Sequence, residues 1–157
     1  MNGAHGDMSE VWKPSVTVAA VIERAGAFLL VEEEVRGRIV FNQPAGHWER
    51  GETLPEACAR ETLEETAHRF RPDELVGIYR WRFTEADITF LRFAFCGEVA
   101  GEEPGRALDR EIRRAVWMTV EEIRAVRGRH RSPLVLACIE DYLAGRRYPL
   151  ELLRHYE

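Results

Sequence analysis

The stretch GHWERGETLPEACARETLEETAH, positions 46–68, constrains this chain more than any other. Thr53 followed three residues later by Glu56 is a capping box, and Pro55 is tolerated in a first helical turn. The spacing therefore predicts a helix from Thr53 to about His68. Each helical residue advances by about 100°, so with Glu61 at zero, Glu64 falls near −60° and Glu65 near +40°. Three carboxylates crowd one arc, while Ala59, Thr62, Leu63 and Thr66 are expected to form the core face. Like charges at these spacings cost a few tenths of a kcal/mol per pair. A hard divalent cation removes that cost, and carboxylate oxygens suit Mg²⁺, with Mn²⁺ as a possible substitute. Because Mg²⁺ retains waters and binds phosphate oxygens, such a face fits phosphoryl chemistry. A Glu-rich face alone is commonly just solvated, so the weight falls on its surroundings.

Those surroundings narrow the options. A chain of 157 residues has room for one domain with a real core. A net charge of −5 argues against a nucleic-acid partner, since phosphate neutralisation needs clustered Lys and Arg. A protein this acidic that handles phosphates is expected to draw its positive charge from a cation. No apolar run approaches the ~20 residues of a membrane span, and MNGAHGDMSE lacks the apolar core of a signal peptide. Cys58, Cys96 and Cys138 read as reduced core thiols, so the expected location is cytoplasmic. Residues 1–11 are expected to be flexible, 12–153 to form the domain, and 154–157 to be a tail.

Strand patterns surround the helix. VTVAAVI, a Glu-Arg-Ala-Gly turn and AFLLVEEE come first, and RIVFNQPA then leads to a loop at Gly46. After the helix, LVGIYRWRF and ITFLRFAFCGEV are joined by a turn at 84–87. A loop over 101–110 precedes a short strand, AVWM. Thr119 and Glu122 open a short helix to about Val126, and a last helix is expected from about Pro133 to Leu143, ending at Gly145. This order predicts an α/β fold, a mixed sheet packed between helices rather than a doubly wound parallel one.

Gly46, five residues, Glu52, seven residues, Arg60-Glu61, two residues and Glu64-Glu65 resemble the Nudix box, which continues into an aliphatic-flanked Gly. Thr62, Ala67 and His68 depart from the box, and Ala67 matters most if its position requires a positive φ. WKPSVTVAAVIERAGAFLLVEE, FNQPAGH, FLRFAF, RSPLV and RYPLE further resemble the NudJ-type phosphatases, a branch of that family. The resemblance implies a Nudix-type α/β/α sandwich and a phosphoric anhydride hydrolase. It further implies action on nucleoside di- and triphosphates and thiamine-pathway pyrophosphates, with water attacking phosphorus and orthophosphate released. A pyrophosphate-releasing nucleotide hydrolase and a non-catalytic Nudix-fold module are the alternatives; retention of every box glutamate disfavours the second.

By the same resemblance, Glu61, Glu64 and Glu65 hold Mg²⁺ and are catalytic, with the Gly46 carbonyl as a further ligand. Glu52 and Arg60 form a structural pair. Glu111, six residues before Trp117, is the candidate general base, with Asp109, Glu102 and Glu103 competing from the same charged loop. Trp48, Tyr79, Trp81 and Phe83 offer aromatic surfaces beside Arg80 and Arg82, and Asn42 and Gln43 offer amides for ring edges. Of these, Gln43, Trp48, Arg80 and Trp81 are the expected substrate contacts, together with Arg92. Arg92 interrupts an apolar strand and therefore needs a partner or a ligand. His68 is expected on the acidic side of the helix, at the surface or near its end. The expected partner is a small nucleotide or diphosphate metabolite, and the expected assembly a monomer or homodimer.

Overall fold

Thr53 starts the acidic helix as its sequence requires. In the computed structural model, which describes residues 10–157, helix α1 runs Leu54–Thr66. Nearly all of the 1–11 segment lies outside the described residues. The Thr53 hydroxyl accepts from the Glu56 N–H at 3.3 Å, and the Glu56 carboxylate accepts from the Thr53 N–H at 2.9 Å, closing the box. The helix ends at Ala67, whose N–H donates to the Leu63 carbonyl. Ala67 sits at φ 59°, left-handed backbone where glycine costs least.

The strands are β1 Ser15–Val21, β2 Glu23–Arg24, β3 Ala27–Val35, β4 Arg38–Asn42, β5 Ala45–His47, β6 His68–Phe83, β7 Ile88–Glu102, β8 Ile112–Thr119 and β9 Tyr148–Pro149. Helices α2 Val120–Ala125 and α3 Leu134–Leu143 complete the domain. One sheet has the order β5-β1-β7-β6-β9, and in the other β3 pairs with β2, β4 and β8. The first sheet is mixed: β1 runs parallel to β7, with Val18 beside Phe93, while β5 runs antiparallel to β1 and β6 antiparallel to β7.

Two helices sandwich this scaffold. Ala57 and Cys58 of α1 pack with Val18, Ala20 and Phe95 on one face, whereas Leu134, Cys138 and Ile139 of α3 pack with Val21, Ala94 and Val76 on the other. Burial of these side chains contributes roughly 1.5–3 kcal/mol for each large aliphatic or aromatic one. Cys58, Cys96 and Cys138 are all buried and unpaired.

Three features differ from the sequence reading. First, β6 begins directly after α1, at His68, and β7 extends to Glu102. Register shifts at Arg69/Phe70, Pro72/Glu74 and Leu75/Gly77 break the two-residue alternation that marks a strand, which hid this half of the hairpin. Pro72 sits at one of these irregularities, opposite Gly97, where a Cβ would collide with the Arg71 carbonyl. Second, Gly46 lies in the short strand β5, not in a loop. Third, the buried residues of α1 include Glu61 and Glu65 beside Thr62 and Thr66, while Ala59 and Leu63 are only partly covered. Thr62 is tolerated there because its hydroxyl donates to the Cys58 carbonyl at 2.8 Å, one turn back.

Candidate active site

Two of the three glutamates expected to project from α1 face protein backbone rather than open water. The Glu65 carboxylate accepts from the Ala45 N–H of β5 at 2.8 Å. Beside it, a Cβ built at Gly46 would fall inside the Glu61 carboxyl group, so only glycine lets strand and glutamate approach this closely. Burial, reinforced by the charges of Glu61, Glu33 and Asp109, pushes Glu65 up to about 9 despite the Ala45 N–H. Burial also raises Glu61, against the opposing hydrogen bond and charge of Arg60.

Arg60 binds the opposite side of this cluster. It grips Glu52 with two bonds, Nε to Oε2 at 2.9 Å and Nη2 to Oε1 at 2.7 Å, and Nη2 also donates to the His47 carbonyl at 3.0 Å. Its Nη1 donates to Glu61 at 2.8 Å and to Glu64 at 3.2 Å. The hydrogen bonds from Arg60 hold Glu52 below the usual carboxylate range, and those to Glu52 raise the guanidinium further. With so many of its N–H groups engaged by protein oxygens, Arg60 braces the 47–52 loop against the helix. The Trp48 indole, nearly half exposed, closes that loop by donating to the Glu52 carbonyl at 2.8 Å.

Carboxylate oxygens of Glu61, Glu64 and Asp109 all lie within 4.8 Å of one another. Asp109 is held in place by its own backbone, its N–H donating to the Glu64 carbonyl at 3.0 Å. In sequence, Asp109 was one of several acids in a charged loop, and the spacing to Trp117 favoured Glu111 over it. Only the fold brings it against α1. Glu111 lies elsewhere on the same opening, lining the cavity that Glu61 and Glu65 also line. All these donors are hard carboxylate oxygens, burial disfavours two of them as bare anions, and Arg60 alone opposes the charge. The set therefore fits a divalent cation such as Mg²⁺.

The cavity encloses about 620 Å³, large enough for a nucleotide-sized molecule. Trp81, Phe90, Arg92, Asn42 and Arg131 line it away from the glutamates. Three expected substrate contacts lie outside it. Gln43 is 1% exposed and spends its amide within the core, donating to the Val135 carbonyl at 2.6 Å. Arg80 alternates to the face opposite Trp81 and is exposed, and Trp48 is committed to its own loop. Tyr79 turns toward α3 and donates to Asp141 at 2.7 Å. His68 is likewise displaced from its expected place. As the first residue of β6 it is buried, with Nδ1 2.7 Å from the Thr66 carbonyl and its ring edge-on to Trp117.

Comparison with known proteins agrees with this geometry. The NUDIX domain family matches residues 12–137. Phosphatase NudJ of Escherichia coli K12 is 42% identical over 143 residues, covering 91% of this chain and 92% of that protein. The solved structure of a NUDIX hydrolase from Nitrosomonas europaea superposes with a TM-score of 0.90 at 55% identity, over 92% of this chain and 98% of that one. A MutT NUDIX hydrolase from Burkholderia pseudomallei shares the fold at 16% identity and a TM-score of 0.70, over 83% of this chain and 98% of that one. Sequence, fold and the glutamate-lined cavity thus converge, and the chain belongs to the Nudix hydrolase family.

Proposed function

We propose that this protein is a Mg²⁺-dependent phosphatase of nucleoside di- and triphosphates and thiamine-pathway pyrophosphates, in which water attacks phosphorus and orthophosphate leaves. The observation that carries the reading is the convergence of Glu61, Glu64 and Asp109 beside Glu65, next to a cavity of nucleotide size. Similarity to the NudJ phosphatase supports phosphatase chemistry, and the choice of substrates is what the sequence resemblance to that branch implies.

Glu61, Glu64, Glu65 and Asp109 would hold the cation, with the Gly46 carbonyl as a further ligand. When bound there, Mg²⁺ supplies neutralisation of diphosphate charge and acidification of a water. The chain itself does the rest. Ala45 N–H orients Glu65, the Arg60–Glu52 pair fixes the turn carrying Glu61 and Glu64, and Glu111 stands on the cavity wall as the candidate acceptor of the water's proton. No nucleophilic side chain is required, and burial leaves the three thiols inert. These buried, unpaired thiols are also consistent with a cytoplasmic setting.

The test is a panel of nucleoside and thiamine-pathway diphosphates assayed with Mg²⁺ and with EDTA, with orthophosphate and pyrophosphate measured separately. Turnover that EDTA abolishes, with orthophosphate as product, is the expected result. Pyrophosphate as the only inorganic product from triphosphates would replace the reading with that of a nucleotide pyrophosphatase. Absence of turnover on every member would refute hydrolysis of this class. In the same assay, Asp109→Asn is expected to raise the Mg²⁺ concentration needed for half-maximal rate, and Glu111→Gln to lower kcat at saturating Mg²⁺.

A further inference from the structure

Arg92 has an environment that hydrolysis at the glutamates does not account for. Its side chain is 6% exposed, it lines the cavity, and no carboxylate pairs with it among the described residues. A buried guanidinium without a carboxylate is costly. Arg131, on the same cavity, shows the ordinary solution, donating to Glu33 at 2.8 Å.

Arg92 contacts two neutral amides and a thiol: Nη1 donates to Gln43 Oε1 at 3.0 Å, Nη2 to Asn42 Oδ1 at 3.2 Å, and the buried Cys138 sulfur takes a further bond. A guanidinium can only donate, so both amides must turn their oxygens toward it. Gln43 then points its Nε2 the other way, into the Val135 carbonyl. Asn42 uses its Oδ1 on Arg92 and makes no hydrogen bond through Nδ2 among the described residues, and Asn42 lines the cavity. This floor therefore offers the N–H groups of Arg92 that Gln43, Asn42 and Cys138 leave free, and the amide N–H groups of Asn42. One row along the sheet, Trp81 and Phe90 lie across from each other with ring centroids 5.7 Å apart and planes 16° from parallel, and both also line the cavity.

We propose that this donor floor and aromatic wall form a base-selecting subsite that accepts a planar heterocycle by its acceptor edge, favouring 6-oxo purines over 6-amino purines. The inference rests on the reading of the substrate as a nucleotide. O6 and N7 of a 6-oxo purine are two acceptors spaced for the guanidinium fork; a 6-amino group replaces one of them with a donor facing a donor. The stacked aromatics supply the surface on which any flat ring lies, so the polar edge decides between rings.

Calorimetric titration in EDTA, where nothing turns over, compares inosine and adenosine monophosphates. The inosine nucleotide is expected to bind at least about tenfold more tightly. With Mg²⁺, kcat/KM is expected to favour inosine over adenosine diphosphate by a similar factor, with the guanosine and inosine compounds close together. Asn42→Asp sets an acceptor and a charge against Arg92, and Arg92→Lys removes the fork; each is expected to narrow the preference to within about threefold. Equal affinities for the two monophosphates, or no binding of either, would overturn the subsite. Ribose 5-phosphate binding as tightly as the inosine nucleotide would also overturn it, since phosphate would then occupy the floor. Retained oxo preference in binding without hydrolysis of any diphosphate would leave the subsite standing and remove the phosphatase reading. Hydrolysis without oxo preference would do the reverse.

Discussion

Glu65→Gln should make the metal-free protein more stable while destroying its activity. The wild-type carboxyl is 7% exposed and is raised from 4.5 to about 9, chiefly by burial. A group raised on folding contributes its full stability below its unfolded value, and that contribution is lost as pH rises toward the folded value. At pH 7.5 the folded carboxyl still holds its proton while the unfolded one has lost it, so the stability lost by then is at most on the order of 4 kcal/mol. Local relaxation and water entry reduce this to about 2 kcal/mol. Glutamine keeps the shape and can still accept from the Ala45 N–H with Oε1, and it carries no charge beside Glu61. In EDTA at pH 7.5, Tm is expected to rise by about 4–8 °C. The difference should shrink toward pH 4.5, where the wild-type carboxyl protonates in both states. Saturating Mg²⁺ should raise the wild-type Tm and barely move the variant, and turnover should fall by more than about 100-fold. Differential scanning calorimetry across pH, with and without Mg²⁺, reads all of this. A variant equal to or below wild type in EDTA, with the same pH slope, would refute the argument that burial of this carboxylate opposes the fold.

Other expectations follow from single contacts. Gly46→Ala places a methyl group where the Glu61 carboxyl lies, so kcat should fall at least about tenfold while circular dichroism shows an intact fold. Glu52→Gln weakens the grip on Arg60 and should lower Tm by a few degrees, corresponding to about 1 kcal/mol. Because Glu52 is lowered by Arg60, its contribution is present above pH 4.5 and lost below it, so the deficit should vanish in acid. Ala67→Gly relieves a left-handed residue at the helix end and should add about 0.5–1 kcal/mol without altering kcat, measured by urea unfolding and initial rates.

The helix and its charge were legible in the sequence because capping and the 3.6-residue period are local rules. Thr53 and Glu56 followed from them, while the succession of strand patterns around the helix pointed to the mixed sheet. The half of the hairpin over 68–74 was not legible, because bulges around Pro72 break the alternation that identifies a strand. Asp109 did not stand out from its acidic neighbours until tertiary contact with Glu64 selected it. The fates of Gln43 and Arg80 show the same limit. Composition marks a polar residue beside a site, but which face of the sheet it takes depends on registers that no local pattern fixes. Ala67 was flagged as a departure, and the structure supplies the reason: the position is left-handed and carries a Cβ regardless.

The parallel pairing that seats Val18 beside Phe93 has a kinetic consequence. The sheet on which α1 rests cannot close until a distant part of the chain arrives, and loop 103–111 arrives later still. A nascent chain ending short of β7 would carry the acidic turn on strands not yet joined into a sheet, with no aspartate to complete it. Amide protons of residues 61–66 should therefore exchange only when the whole domain opens, so this acidic cluster forms and fails with the fold as one unit.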